Sequence, residues 1–159
     1  MNTDNEHCLE PENIVNKYYQ ALYSGNLSKV KDLMTEESYL MTLEPFVLKL
    51  SFNDPLFKAQ WDKREESKDA LHEVEQKLSL ELLSRNLSPQ IEIDQIVPNG
   101  LERLTVHYKK DGKHKKLYFS QENGKWFIDY FAGRPVPPVP ESYFSRIRKW
   151  LLSILPSFK

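Results

Sequence analysis

Residues 90–132, QIEIDQIVPNGLERLTVHYKKDGKHKKLYFSQENGKWFIDYFA, decide the fold of this chain. Apolar and polar residues alternate through four runs, a period of two that is typical of β-strands. Three breaks separate the runs, PNG, KDG and ENG, and each places Asn-Gly or Asp-Gly where a tight hairpin requires positive φ. The stretch therefore predicts four antiparallel strands at residues 90–97, 101–110, 113–121 and 125–132.

The alternation also predicts which side of this sheet is apolar. One face of the second and last strands carries Leu104, Val106, Tyr108, Trp126, Ile128 and Tyr130. An antiparallel sheet with one apolar face packs that face on other elements and leaves the second face to solvent. The expected architecture is therefore a meander that packs on helices.

Helical spacing dominates the chain before the strands. A first helix begins at Pro11 and ends near Gly25, and Asn26 or Ser28 can cap a second, short helix. Residues 38–43 are read as a short strand or extended segment. Asn53 or Asp54, followed by Pro55, starts a long helical region that runs to Arg85 without Gly or Pro. The charged part of this region, residues 62–69, lacks an apolar stripe, so we expect the helix to be solvated or interrupted there. Whether residues 44–88 form one helix or two stays open.

This order of elements resembles the nuclear transport factor 2-like superfamily. The resemblance rests on IVNKYYQALYSGNLSKVKDLM (residues 14–34), a helix with an aromatic pair followed by Gly-Asn, and on the closing strand ENGKWFIDYF (residues 122–131). It covers residues 11–133 and implies an α+β fold in which a curved antiparallel sheet forms a cone around N-terminal helices. Members of this superfamily include isomerases, dehydratases and non-catalytic binding modules, and many dimerise through the outer face of the sheet. The long, charged region 44–88 departs from the pattern.

Composition limits the classes of function. The chain has 159 residues, a formal net charge of −1 and one cysteine, Cys8. We therefore expect one domain with no intrachain disulfide and no affinity for nucleic acid. The polar residues 1–10 are predicted to be disordered and do not read as a secretory signal, and no window is apolar enough to span a bilayer. The expected location is the cytoplasm, with peripheral membrane contact as an addition.

The cone of the resembling family implies a pocket, and its candidate lining is aromatic. The predicted pocket residues are Tyr19, Tyr39, Met41, Tyr108, Trp126 and Tyr130. Aromatic residues at these periods are also what an ordinary core contains. A small-molecule ligand in this pocket is therefore one alternative and a packed core is the other.

No acid or histidine of the sequence lies within an apolar stripe, which an isomerase or dehydratase would need to tune a catalytic pKa. Asp129, His107, Glu92 and Asp94 are all predicted on the polar side of their strands. The chain also lacks H-x₃-H and C-x₂-C spacing and a glycine-rich phosphate loop. We therefore predict no catalytic residue, no metal and no cofactor.

One turn of the predicted sheet is strongly basic. Lys109, Lys110, Lys113, Lys115 and Lys116 crowd the hairpin KKDGKHKKLYF. Such a turn can contact phosphate or an acidic protein. The favoured interpretation is that the lysines keep the hairpin soluble and discourage edge pairing.

The chain ends with a proline-rich spacer and an amphipathic segment. RPVPPVP (residues 134–140) matches R-x-x-P-x-x-P, a groove-binding pattern, but a stiff spacer is the favoured interpretation. Residues 141–159 are predicted to form a helix that is too short to span a bilayer. Its predicted contact residues are Tyr143, Arg146, Ile147, Lys149, Trp150, Leu151, Ile154 and Leu155.

Three uses of this helix remain open. It can fold back on its own domain or on a dimer mate, lie on a membrane surface, or enter a groove of another protein. The sequence therefore favours a non-catalytic protein-interaction or accessory module, dimeric or bound to a protein partner, with the C-terminal helix as a contact element. The alternatives are a small-molecule-binding or isomerase/dehydratase-type domain that uses the cone, and peripheral membrane attachment through the helix.

Overall fold

A computed structural model describes residues 10–133 of the chain. Over this range the fold is α+β, with five helices and one four-stranded antiparallel sheet. The predicted disordered N-terminus (1–10) lies outside the described residues except for Glu10. The predicted proline-rich spacer (134–140) and C-terminal helix (141–159) lie wholly outside them.

The helices precede the strands along the chain. The helices are α1 (Pro11–Tyr23), α2 (Leu27–Asp32), α3 (Glu36–Ser51), α4 (Pro55–Asp62) and α5 (Lys68–Ser84). The strands are β1 (Ile91–Gly100), β2 (Arg103–Lys110), β3 (Lys113–Glu122) and β4 (Lys125–Ile128).

The sheet confirms the predicted meander. Its strands lie in the order β1-β2-β3-β4, each antiparallel to the next, and the sheet does not close on itself. One face is buried and carries Leu104, Val106, Tyr108, Leu117, Phe119 and Ile128. The strand period of two thus places a continuous apolar layer against the helices.

Two of the predicted hairpin turns are confirmed. Asp111 and Gly112 have φ of 51° and 77°, and Asn123 and Gly124 have φ of 51° and 78°. Positive φ at both central residues is the condition for the type I′ turn, whose twist matches that of the strands it joins.

The predicted first turn, at Asn99-Gly100, is wrong by two residues. Strand β1 continues to Gly100, which pairs with Arg103, so the turn residues are Leu101 and Glu102. The register shifts between Pro98 and Gly100. Because proline has no N–H to give to the ladder, an irregularity beside Pro98 lets the strand continue past a sequence that would otherwise turn.

The short strand predicted at residues 38–43 is also wrong, because these residues belong to α3. The Thr35 side chain caps this helix by accepting from the Ser38 N–H at 3.4 Å, and Glu36 and Glu37 lie in its first turn, where carboxylates stabilise a helix. The buried residues of α3 follow helical spacing and are Ser38, Tyr39, Thr42, Leu43 and Val47. A six-residue window was too short to separate this spacing from alternation.

The long helical region after Pro55 is two helices. Asp54 caps α4 by accepting from the Phe57 N–H at 3.1 Å, as predicted. The chain then breaks at residues 63–67, within the charged segment where an interruption was expected, and the Ser67 side chain caps α5. Residues 44–88 therefore contain the end of α3 and two further helices.

The α2–α3 connection is tied to the last strand. The Ile128 N–H donates to the Leu33 carbonyl at 2.9 Å, and the Thr35 N–H donates to the Ile128 carbonyl at 3.0 Å. These bonds satisfy the edge of β4 and fix the start of α3 against the sheet. The apolar core lies between this sheet face and α1, α3 and α5.

The turn between α1 and α2 lies directly on α5. Gly25 in this turn has φ of 70°, and a Cβ at this position would meet the backbone carbonyl of Ser79. Glycine is therefore required at this position for two reasons: the backbone has positive φ, and a Cβ would overlap the backbone of Ser79.

We predict that Gly25→Ala destabilises the fold more than Gly112→Ala does. Both positions have positive φ, which costs a residue with a Cβ about 1–2 kcal/mol, but only Gly25 also faces neighbouring backbone, whereas the space around Gly112 is open. We expect the unfolding free energy to fall by about 3 kcal/mol or more for Gly25→Ala and by about 1 kcal/mol for Gly112→Ala. Urea denaturation of both variants measures the difference, and equal losses would contradict the close approach.

Candidate functional site

A pair of tyrosines joins α1 to the sheet. The hydroxyl oxygens of Tyr19 and Tyr108 lie 2.6 Å apart in a buried hydrogen bond, and their ring centroids are 5.9 Å apart. The Tyr18 ring packs edge-on against Tyr19 at 4.8 Å. The helix is thus held to β2 by both aromatic packing and a hydroxyl bond.

A second hydroxyl chain joins α1, α3 and the segment after β4. The Thr42 hydroxyl donates to the Ser38 carbonyl at 3.0 Å and lies 2.8 Å from the Tyr130 hydroxyl. Because Thr42 has one hydroxyl hydrogen, Tyr130 donates to Thr42 in this arrangement. The Tyr18 hydroxyl stands 3.4 Å from that of Tyr130, and the Tyr130 N–H donates to the Ser38 hydroxyl at 3.0 Å. The hydroxyls of Tyr18, Thr42 and Tyr130 therefore all have hydrogen-bond partners where the helices meet the sheet, a contact that we call the helix–sheet seam.

Tyr39 and Tyr23 make further polar contacts, each with a charged side chain. Tyr39 donates from α3 to the Glu75 carboxylate of α5 at 2.6 Å. The Lys110 ammonium donates to the Tyr23 hydroxyl at 2.6 Å and lies 5.0 Å and 4.9 Å from the ring centroids of Tyr19 and Tyr23. A cation over two rings at these distances is a favourable cation–π arrangement.

Burial makes these phenols weak acids. Desolvation is the main cause that raises the pKa of Tyr18, Tyr19, Tyr39 and Tyr108 above its usual value. Tyr130 contributes further to the raised pKa of Tyr18, and the Glu75 carboxylate to that of Tyr39. These hydroxyls therefore stay protonated near neutral pH, so they can exchange hydrogen bonds but cannot serve as bases.

Within residues 10–133, the buried polar side chains are Ser38, Thr42 and Thr105, and none of them is an acid or a histidine. Glu92 and Asp94 are exposed, as predicted. Asp129 and His107 are partly buried, and the Asp129 carboxylate accepts from the Phe131 N–H at 2.9 Å. The same residues contain no group of three or more His, Cys, Asp or Glu side chains that could hold a metal ion.

The six predicted pocket residues are distributed over several environments. Tyr39 and Tyr108 are buried in the core, Tyr19 nearly so, and Trp126 and Tyr130 are packed against it. Met41 lies on the outer side of α3 with 38% of its surface exposed. Of the recesses described below, one includes Tyr19 and none includes the other five.

Three of the five lysines of the basic hairpin contact other side chains of the described residues. Lys109 lies 3.6 Å from the Asp94 carboxylate, which also lies 3.3 Å from His114. Lys110 binds Tyr23, as described above, and Lys116 lies over the Tyr118 ring at 5.3 Å. The hairpin joins β2 and β3, the two inner strands of the sheet, so the expectation that these lysines discourage edge pairing is wrong.

The surface beside α5 contains two adjoining recesses. The larger, which we call the Gly25 recess, has a volume of about 910 Å³ and lies between the α1–α2 turn and α5. Its lining includes Leu27, Lys31 and Leu80 together with the Glu75 carboxylate that Tyr39 holds. The rest of its lining consists of Gly25 and the polar residues Ser24, Asn26, Ser28, His72, Gln76 and Ser79.

The smaller recess, which we call the Tyr23 recess, has a volume of about 360 Å³. It lies between α1 and the chain that leaves α5, and its lining includes Tyr19, Tyr23, Leu83, Leu87 and Ile91. Ser24 lines both recesses, so they meet at the end of α1. We call the two together, with Leu80, Leu83 and Leu87, the α5 groove.

Helix α5 has apolar side chains on two opposite sides. Val74, Leu78 and Leu82 are fully buried and form the side of the helix that faces the core. Leu80 and Leu83, three residues apart on the other side, are 70% and 57% exposed, and Leu87 just after the helix is 50% exposed. The sequence LSLELLS (residues 78–84) supplies leucines to both sides of the helix.

No protein-family model, curated protein or solved structure matches this chain. Among residues 10–133, no helix is both long enough and apolar enough to cross a bilayer.

We predict that Tyr19 and Tyr108 are energetically coupled. Replacing either one with phenylalanine leaves a buried hydroxyl without its partner and should lower the unfolding free energy by about 1–3 kcal/mol. The double variant Tyr19→Phe/Tyr108→Phe removes both hydroxyls and should cost less than the two single losses added together, by about 0.5–1.5 kcal/mol. Denaturant unfolding of the four proteins measures this coupling. Strict additivity would show that the 2.6 Å contact carries no net energy.

We also predict a loss of stability at alkaline pH. A tyrosine whose pKa is raised by folding keeps its proton in the folded state but loses it in the unfolded state once the pH exceeds about 10. Stability is therefore complete below that pH and falls above it, by about 1 kcal/mol per buried phenol at pH ~11. Unfolding curves from pH ~8 to ~11 measure the loss, and Tyr39→Phe should reduce the slope because one such group is gone. A slope unchanged by Tyr39→Phe would count against the raised pKa of Tyr39.

Proposed function

We propose that this protein is a non-catalytic interaction module that binds an apolar helical segment of a protein in the α5 groove. The observation that carries this proposal is the second apolar side of α5, where Leu80 and Leu83 are more than half exposed, together with the half-exposed Leu87 just after the helix. Helix-in-groove binding uses such a row of apolar anchors beside a recess. Residues 141–159, predicted as an amphipathic helix, are a contact element of the same kind.

The energetics favour a covered groove. Fully burying one leucine side chain is worth about 1.5–3 kcal/mol, so covering three half-exposed leucines contributes several kcal/mol to binding. The Lys31 cation and the Glu75 carboxylate at the other end of the groove supply polar contacts that select orientation. A partner with apolar residues on one helical face and charged residues on its flank fits this surface.

The interior of the domain supports a non-catalytic role. Tyrosine side chains occupy the space between α1, α3 and the sheet, and their hydroxyls bind one another or neighbouring polar groups. The acids and histidines of residues 10–133 lie at the surface or are only partly buried. A general base in an apolar cavity, which an isomerase needs, has no residue to supply it here.

We further propose that the domain is a divergent relative of the nuclear transport factor 2-like superfamily. The aromatic pair Tyr18-Tyr19 facing an antiparallel meander supports this relation. Helix α3 stands where that superfamily has its first strand, and the four strands do not form a closed structure. Homodimerisation belongs to the same proposal.

Small-molecule binding is the second candidate, and the Tyr23 recess is the observation that favours it. Its volume of about 360 Å³ falls within the range of ligand pockets. Asn16, Gln20 and Asn86 add amide groups to its aromatic and apolar lining.

The interaction is testable by placing a photo-crosslinking amino acid at Leu83 in the full chain, expressed in its native cells. Leu83 faces the α5 groove, whereas Leu101 in the β1–β2 turn is 94% exposed and serves as the matched control. We expect a recurring protein adduct at position 83, absent at position 101, whose crosslinked peptide has an apolar helical repeat. Adding Leu80→Glu should remove this adduct, because a carboxylate in the groove opposes an apolar partner.

Two other outcomes of this crosslinking experiment would contradict the proposal. If position 83 yields no adduct with another chain, or the same adducts as position 101, the interaction proposal fails. If the full chain instead floats with anionic vesicles and position 83 crosslinks to lipid, the groove is a membrane contact.

A further inference from the structure

We propose that Lys110 and the Tyr23 recess form a binding site for a small organic anion, a molecule with a carboxylate or phosphate group on an apolar body. This inference deepens the second candidate function and rests on it for the choice of recess. It adds the chemical class of the ligand, which follows from the charge and the hydrogen-bond donors beside the recess.

Lys110 lies at the border of the recess. In the β1–β2 ladder it pairs with Ile91, and its ammonium donates to the Tyr23 hydroxyl at 2.6 Å. Both of these neighbours line the recess. The ammonium also lies over the Tyr19 and Tyr23 rings, whose planes are within 12° of parallel. These contacts hold the cation on the same side of the sheet as the recess.

The charge of Lys110 has no carboxylate partner within residues 10–133. The salt bridges of this range pair other cations, and they also leave out Lys113, which stands opposite Lys110 across the hairpin. The next carboxylate along the chain, that of Asp111, accepts from the Gln90 N–H at 3.0 Å. Since Lys110 is partly buried and charges removed from water are normally paired, its surroundings favour the binding of an anion.

The site also contains hydrogen-bond donors for an anion. An ammonium has three N–H groups, and Tyr23 accepts from one of those of Lys110, which leaves two. Because the Tyr23 oxygen accepts this bond, its own O–H remains a donor, and the described residues supply no acceptor for it. The recess adds the side-chain amides of Gln20 and Asn86. Donors grouped around a cation match the oxygen atoms of a carboxylate or phosphate, which accept charge-assisted hydrogen bonds.

The rest of the lining accounts for the apolar body of the ligand. Leu83, Leu87 and Ile91 line the recess together with the rings of Tyr19 and Tyr23. Ligand pockets bind mainly through such apolar and aromatic contacts and use a few polar groups to fix orientation. The expected ligand therefore has an apolar part that these side chains contact and one anionic group that the ammonium binds.

Lys116 provides a matched control within the same hairpin. It also lies over a tyrosine ring, that of Tyr118, at 5.3 Å. Because it pairs with His107, three residues before Lys110 on β2, the strand alternation places it on the opposite face of the sheet. None of the recesses described above includes Lys116 or Tyr118. Its substitution therefore separates the proposed site from a general effect of positive charge.

Titration of the purified full chain with small anions tests the inference. The probes are benzoate, phenyl phosphate and the neutral analogue benzamide, and NMR follows the methyl resonances of Leu87 and Ile91 in the recess. We expect at least one anion to shift these resonances saturably with a Kd below about 10 mM, the affinity expected of a ligand of this size. Benzamide should bind at least about tenfold more weakly, because it lacks the charge. The anion that binds more tightly identifies the group as carboxylate or phosphate.

Variants identify the groups that bind. Lys110→Met keeps an apolar side chain but removes the charge, so it should raise the Kd at least about tenfold, whereas Lys110→Arg should restore most of the affinity. Tyr23→Phe keeps the ring but removes the O–H donor and should raise the Kd about threefold or more. Lys116→Met should change the Kd by less than about twofold, since it leaves these groups in place. Unchanged methyl resonances of Val74 and Leu78 show that a variant keeps its core.

The inference is overturned if benzamide binds as tightly as the anions, if Lys110→Met leaves the Kd unchanged, or if Lys116→Met raises it equally. In these cases the recess still binds small molecules and only the ligand class is wrong. If none of the three compounds shifts the resonances, the second candidate function fails as well. The three probes on the unaltered chain and Tyr23→Phe decide the question if Lys110→Met does not fold. Protein adducts at Leu83 are a separate measurement, so the interaction proposal stands or fails independently.

Discussion

A buried phenol must find a hydrogen-bond partner, and this requirement governs how the helices of this domain sit on its sheet. Tyr19 binds Tyr108, Tyr130 binds Thr42, and Tyr39 binds Glu75. Each of these bonds joins a different pair of elements. Leaving one such hydroxyl unsatisfied costs about 1–3 kcal/mol, which is a large part of the roughly 5–15 kcal/mol that stabilises a domain of this size. Apolar packing alone tolerates small shifts between the helices and the sheet, whereas each of these hydrogen bonds fixes the position of one element relative to another.

The same bonds also occupy the interior of residues 10–133. Because the tyrosines of the helix–sheet seam keep their protons, they cannot act as bases there. The chain has instead placed unpaired apolar surface on the outer side of α5. Gly25 links the core to this surface. Its close approach to Ser79 holds the α1–α2 turn on α5, and this turn forms one wall of the groove.

The sequence predicted the sheet well because its signals are local. Alternation and the Asp-Gly and Asn-Gly turns are read within a few residues, and the two later turns have the expected positive φ. The first turn failed because Pro98 shifts the register, an effect that depends on the neighbouring strand. Helix α3 was missed because its cap, Thr35, lies outside the window that was read as a strand. The tyrosine partners could not be predicted either, since Tyr19 and Tyr108 are 89 residues apart and only the folded chain brings them together.

Exposed leucines are ordinary on protein surfaces, so the argument for α5 depends on their arrangement. Leu101 is 94% exposed in a turn, and Phe52 and Leu56 are exposed at the corner between α3 and α4. None of these three lines a described recess. Leu80 and Leu83 differ because they lie on one side of a helix whose other side is already buried, and they border the groove together with Leu87 just after the helix. A helix with two apolar sides is normally packed on both of them. Residues 10–133 bury one of these sides, and the leucines of the other are the anchors that the proposed helix-in-groove contact would use.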